Sequence, residues 1–450
     1  MFSNSIGKST KLQCEQQRSL IFCYAIEISI ERSSRITKLL SRIKQPLTNE
    51  LKQEITMLQN KFSLVVAAAI GAIAVAGCGG GGSGAGNQSP KIQFSSQVSF
   101  GDSLSDVGSY AVGGILALGG GRYTVNSSLA SGAPAPTNWT ELMAAQLGQS
   151  APCAAETGLQ GIAISAQINF NVPIAMHTPG CTAYGQGGAM VTYPYGPGNA
   201  NTAAIPNGNP VDGSAVLGQL TVPLVTQMQN HLAAHSGAYT GNEVVFVLAG
   251  GNDAIFNTEL FLGSVQTAAM QGGAAAAQAE AAIAGPAAVQ AMSVAGTQLA
   301  GYINDLVLAK GAKYVVVLNL PDLSTTPFGS EVEAALPGTQ ALVNTMVTTF
   351  NSQLQTGLAS PDVLYVDVHT VSADQIANPA AYSLTNVTEP ACNLTAASNP
   401  LGSSLVCNAS NVIPGDISHY EFADQVHPTP YGNILLARYV ASQMAIKGWL

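Results

Sequence analysis

Gln97-Val-Ser-Phe-Gly-Asp-Ser-Leu-Ser-Asp106 decides the reading of this chain. A short apolar run ends in Gly101-Asp102, and a serine follows at once, where a strand gives way to a helical turn. The backbone N–H groups of such a turn point outward and favour a developing anion. A serine there is a weak nucleophile until a base takes its proton. The base candidate stands near the other end of the chain, in Phe422-Ala-Asp-Gln-Val-His-Pro428. An aspartate three residues before a histidine on a tight turn can accept the imidazole Nδ1–H. That bond fixes the tautomer whose Nε2 faces the serine.

Outward from these two stretches the pattern repeats. Val244–Leu248 runs into Ala-Gly-Gly-Asn252-Asp253, Tyr314–Leu318 into Asn-Leu-Pro-Asp322, and Val363–Val368 into His369-Thr370. Helical patterns fall between them, at 136–147, 219–236, 274–310 and 335–357, with a last one at 430–447. Continuous apolar strands alternating with helices predict an α/β fold whose parallel sheet is covered on both faces. Functional loops in such sheets lie at the carboxyl ends of the strands, where the polar tetrapeptides stand. Three Gly-, Pro-, Asn- and Ser-rich stretches, 109–135, 150–215 and 370–420, read as insertions. Two further donors suit an oxyanion: the Asn252 amide and a backbone N–H of Gly185-Gln-Gly-Gly188, with Gly187 and Gly188 both open as the donor.

Taken in order, the Gly-Asp-Ser-Leu stretch, the glycine block, Gly-Gly-Asn-Asp and Asp-Gln-Val-His resemble the SGNH (GDSL) hydrolase superfamily. Asn319–Pro327 and Asn138–Gly148 are similar to its lipase-like branch. The resemblance runs over residues 95–445. It implies Ser103 as nucleophile, Asp424 and His427 as its partners, and the Ser103 N–H, Gly188 N–H and Asn252 amide as oxyanion donors. It further implies a three-layer α/β/α, flavodoxin-like fold with a five-stranded parallel core and long loop insertions. No cofactor or metal is implied. Two departures stand out: Ala183 where the glycine block usually opens with Asn, and Ser109 where relatives often carry Asn.

Composition narrows the partners. Charged residues make up 9% of the 450 and apolar residues 47%. Residues 79–450 hold six Lys and Arg against twenty Asp and Glu, a net of −14. So acidic a body has no footprint for nucleic acid, and anionic membrane surfaces repel it. A lipid-directed role has to come through apolar contact.

The N-terminal region reads as an address. Residues 57–77 form a signal peptide with an uncharged apolar core, too short for a comfortable membrane span. Val75-Ala-Gly-Cys78 is similar to a bacterial lipoprotein signal, with Cys78 lipidated and residues 78–94 as a flexible tether. Residues 1–56 are basic and Ser-rich, and are read as a leader or non-native segment ahead of a start at Met57. The expected location is therefore outside the bacterial cytoplasm, attached to a membrane through Cys78 or secreted. Residues 95–450 form one domain.

Four cysteines remain after Cys14, Cys23 and Cys78: Cys153, Cys181, Cys392 and Cys407. In an oxidising compartment they pair. Three pairings are possible, and proximity favours 153–181 and 392–407. Elsewhere the bland readings prevail. Asp102 and Asp253 are expected to fix turns, His231 and His235 to form a polar helix face, and Trp139 and Trp449 to pack. His177, His369 and His419 read as loop or strand-end residues.

The function expected from these residues is hydrolysis of carboxylic esters, of lipid-like or aryl type and including phospholipids or lysophospholipids. Two other readings compete with it: deacetylation of carbohydrate, and a catalytically silent surface-binding protein on the same scaffold.

Overall fold

The structure, a computed structural model, describes residues 92–128, 135, 137–163, 168–201 and 216–450. The leader, the signal peptide, Cys78 and nearly all of the tether lie outside the described residues.

In chain order the elements are β1 (Gln97–Gly101), α1 (Gly113–Ala117), α2 (Trp139–Gln146), β2 (Glu156–Ala163), β3 (Asn169–Met176), α3 (Leu224–Ala234), β4 (Val244–Leu248), α4 (Gly251–Leu306), β5 (Tyr314–Leu318), α5 (Pro327–Ala335), α6 (Thr339–Gly357), β6 (Val363–Val366), α7 (Val368–Ala377) and α8 (Pro430–Lys447). Four strands form one sheet in the order β1-β4-β5-β6, every pair parallel. The side-chain period of two splits β4 cleanly. Val245 and Val247 face a core with α3, α4 and α6, while Val244, Phe246 and Leu248 face one with α2 and α8. Helices therefore cover both faces, giving three layers.

Among the described residues the sheet has four strands rather than the expected five. The fifth place, beside β1, is held by Thr182–Tyr184. Ser99 N–H donates to Thr182 O at 3.1 Å and Tyr184 N–H donates to Ser99 O at 2.8 Å, but only Ser99 and Ala183 pair. The segment leaves the Cys153–Cys181 disulfide and enters Gly185-Gln-Gly-Gly at once, so it stays extended too briefly to form a strand.

Helix α4 also departs from expectation, beginning at Gly251 rather than 274. Gly273 breaks it with φ 69° and ψ −163°. Phe261 meets Gly285 across that break, so the two arms fold back as a helical hairpin. The helix expected at 335–357 is α6, which starts at Thr339; α5 is a separate helix ahead of Leu336-Pro-Gly338 that was not expected, and α3 starts only after Pro223.

The three insertions are not independent loops. Stretch 150–215 contains the antiparallel pair β2–β3, and α7 ends inside 370–420. Tyr110, Ile115 and Tyr123 from the first pack with Leu159 and Phe170 from the second and Leu405 and Val406 from the third, forming a subsidiary core. Two disulfides pin the insertions, Cys153–Cys181 and Cys392–Cys407, the pairings that proximity favours.

Candidate active site

At the carboxyl end of β1 the chain cannot carry a side chain at position 101. A Cβ there would lie 2.6 Å from Leu248 O and 2.9 Å from Ser105. Gln227 clamps the same residue, accepting from Gly101 N–H at 3.0 Å and donating to Gly101 O at 2.8 Å. The Asp102 carboxylate then caps a short 3-10 turn, Ser103–Ser105, by accepting from Leu104 N–H at 3.0 Å. Asp102 thus fixes the turn, as expected. Burial pushes its carboxyl up to about 6 against the pull of that N–H.

A hairpin carries the other partners. Ala423 N–H donates to His427 O at 2.7 Å and Phe422 pairs with Pro428, leaving 423–427 as a tight turn. Thr429 caps α8, with Pro430 at its first position, so the turn is fixed to a helix. Within it Asp424 Oδ1 accepts from Val426 N–H at 3.1 Å and His427 N–H at 2.9 Å. Both Asp424 oxygens stand 2.8 Å from His427 Nδ1. His427 Nε2 stands 2.7 Å from Ser103 Oγ, across 324 positions of sequence. Ser103 is 8% exposed and Asp424 3%, so the chain of bonds is largely shielded from water.

The electrostatics follow from this burial. Desolvation alone would raise the Asp424 carboxyl. The His427 ring and the donors from His427 and Ser404 outweigh it, holding Asp424 well below the usual carboxylate range. Ser404 N–H, at 3.0 Å from Asp424 Oδ2, comes from the third insertion.

The oxyanion candidates come together through bonds between their blocks. Asn252 Nδ2 donates one hydrogen to Ala189 O at 2.9 Å, leaving its second amide hydrogen. Asp253 Oδ2 accepts from Val191 N–H at 3.0 Å, and burial pushes its carboxyl up to about 7. Asn252 can sit there because Gly250, at φ 110°, turns the chain from β4 directly into α4. In the glycine block, Gly187 N–H donates to Asp106 Oδ2 at 3.0 Å. Gly188 N–H makes no hydrogen bond to a described residue. Gly188 is thus the glycine with a donor to spare.

Sequence reasoning missed three contributors. Asp106 also accepts from Gly108 N–H at 2.8 Å and Ser109 N–H at 2.7 Å, and it accepts from the Ser109 hydroxyl as well, tying the serine turn to the glycine block. Its Asp-x-Gly-Ser spacing was a legible turn signal. Tyr123 lays its ring 4.8 Å from the His427 ring at 32°. It is held by its neighbour Arg122, whose guanidinium pairs with Glu141 on α2 at 2.6 Å. Neither Tyr123 nor Ser404 carries a local signal, since each reaches the site only through the packing of the insertions.

The remaining histidines lie apart from this constellation. His231 stacks on His235 and on Tyr239, and burial lowers it to about 4. Among the described residues no three His, Cys, Asp or Glu side chains assemble as a metal set.

Comparison with known proteins adds two findings. A protein from Arabidopsis thaliana named as a GDSL esterase/lipase is 29% identical over 140 residues, which is 29% of this chain and 37% of the plant protein. The chain thus matches little more than a third of that relative's length. The family model for GDSL-like lipase/acylhydrolase matches residues 98–440, which takes in every block from the serine turn to the histidine hairpin, and the chain belongs to that family.

Proposed function

We propose that the protein is a serine carboxylic-ester hydrolase that works through an acyl-enzyme, with Ser103 as nucleophile, His427 as base and Asp424 as its partner. The observation that carries this reading is the unbroken chain from Ser103 Oγ through His427 to the Asp424 carboxylate. Ser103 Oγ attacks the ester carbonyl while His427 Nε2 takes its proton. Asp424 holds Nδ1–H and stabilises the imidazolium. The tetrahedral oxyanion rests on the Ser103 and Gly188 N–H groups and on the Asn252 amide, each donor worth about 2.7–4 kcal/mol in the transition state. His427 returns its proton to the leaving alcohol. A water then gives a proton to His427 and attacks the acyl carbon; the bond to Ser103 Oγ breaks, His427 returns that proton to Ser103 Oγ, and the carboxylic acid leaves.

The substrate proposed is a lipid-like or aryl acyl ester, supported by the lipase-like sequence blocks and the apolar, cation-poor body. The protein is proposed to act outside the cytoplasm, anchored through lipidated Cys78. Two disulfides within the catalytic domain support an oxidising compartment. The test is turnover of purified residues 79–450 on p-nitrophenyl esters of increasing chain length beside acetylated xylan. Cleavage of the acyl esters that disappears in Ser103→Ala supports the reading. Deacetylation of xylan alone would transfer it to carbohydrate, and no turnover of any ester would remove it.

A further inference from the structure

Tyr123 stands over the base of the site. Its ring centroid lies 4.8 Å from that of His427 with 32° between the planes, a tilted face contact rather than an edge contact. Both rings are largely shielded from water, Tyr123 at 8% exposed and the His427 side chain at 13%. The residues on either side hold Tyr123 in place. Arg122 is locked to Glu141 on α2 through Nε and a terminal nitrogen. The Thr124 hydroxyl donates to Pro428 O at 2.9 Å, on the histidine's own hairpin. The glycine block makes room as well. A Cβ at Gly187 would collide with the Tyr123 hydroxyl, which is shut off from solvent.

What such a ring does depends on the charge of its neighbour. The face of an aromatic ring is electron-rich and attracts a cation within about 6 Å of its centroid. A neutral imidazole gains little from it. When His427 takes the Ser103 proton it becomes a cation, and Asp424 meets that charge only at the Nδ1 edge. The face is left to Tyr123. Arg122, the adjacent cation, is neutralised by Glu141 and does not oppose this. The contact is therefore stronger in the transition state than in the resting enzyme, which is the condition for acceleration.

We propose that Tyr123 is a positioning residue of the catalytic base, its ring face fixing the imidazole and stabilising the imidazolium in acylation and deacylation alike. The inference rests on the ester-hydrolase reading and adds a fourth member to the serine, histidine and aspartate. The phenol hydroxyl, closed in against Gly187, takes no part in the chemistry.

The experiment replaces Tyr123 by leucine and by phenylalanine carrying no, one, two or three ring fluorines. It reads kcat and KM on the p-nitrophenyl ester that wild type turns over fastest. Fluorine drains the ring face while nearly keeping its shape, so kcat should fall with each fluorine and KM should hardly change. Tyr123→Leu should lose about thirtyfold in kcat against Tyr123→Phe, the size of a desolvated contact of this kind. A ring that only filled space would not respond to fluorination. If the leucine variant does not fold, as judged by its melt, the fluorinated series decides alone. Equal kcat across the folded fluorinated variants overturns the role of the ring face and leaves the hydrolase reading intact. A wild type that cleaves no p-nitrophenyl ester overturns the hydrolase reading, and this role falls with it.

Discussion

Asp106 offers a sharp perturbation because each of its two oxygens serves two donors. Oδ1 accepts from Gly108 and Ser109 N–H, and Oδ2 from Gly187 N–H and the Ser109 hydroxyl. In Asp106→Asn one oxygen becomes an NH2 group, best placed on the side where the Ser109 hydroxyl can rotate and accept. Gly187 N–H cannot rotate. It then faces a donor and loses its bond, a cost of about 1–3 kcal/mol in a buried setting. The glycine block shifts away from the serine turn and takes Gly188 N–H with it. If Gly188 is an oxyanion donor, its loss lowers kcat by about 10²–10³-fold while KM changes little. Steady-state kinetics on a p-nitrophenyl ester, with a denaturant melt, reads both effects. A folded Asp106→Asn enzyme with kcat within about twofold of wild type would refute the argument.

Other expectations follow from the same geometry. Asp424→Asn should lower kcat by several orders of magnitude, because the amide favours the tautomer that turns a proton towards Ser103; pre-steady-state acylation kinetics check this, and an unchanged rate would separate Asp424 from the chemistry. The Cys392→Ala/Cys407→Ala variant opens a loop of sequence separation 15 and should lose about 3 kcal/mol of stability. It should also lose turnover, because that loop carries the Ser404 N–H on Asp424. Normal turnover in the folded variant would show that Asp424 does not need this support. Asp253 titrates at about 7 when folded against 3.8 in the open chain, so the folded state binds its proton more tightly and wild-type stability falls as pH rises between those values. Asp253→Asn keeps an acceptor for Val191 N–H and removes that penalty. Its gain in Tm should grow from about pH 4 to about pH 7 and then level off; a gain independent of pH would count against the titration.

How legible was all this in the sequence? The strands were: β4 and β5 are continuous apolar, valine-rich runs buried on both faces, and β1 and β6 are shorter apolar runs that end directly in polar turns. Ser103, Asp424 and His427 were legible because each sits in a tight turn whose shape is encoded locally by Gly101, Asp102 and the Asp-x-x-His spacing. The first arm of α4 was not, since the Gly272-Gly273 break that really separates two helical arms reads in one dimension as the start of a helix. The β2–β3 pair was hidden by Gly158, Gly161 and Pro173, which carry turn signals inside strands. The site contributions of Tyr123 and Ser404 were invisible for another reason. They depend on three insertions packing together across nearly three hundred residues, and no local pattern reports such contacts. The fifth strand, which the described residues do not form, belongs here too, because a family resemblance cannot say how soon Thr182–Tyr184 must turn into the glycine block.

The most direct measurement of the central claim is covalent. The purified protein is treated with a fluorophosphonate that modifies activated serines, and the labelled peptide is identified by mass spectrometry. The account predicts a single stoichiometric adduct on the peptide bearing Ser103, absent from Ser103→Ala and strongly slowed in His427→Ala. An adduct on a different serine, or labelling of Ser103 at an unchanged rate without His427, would contradict it.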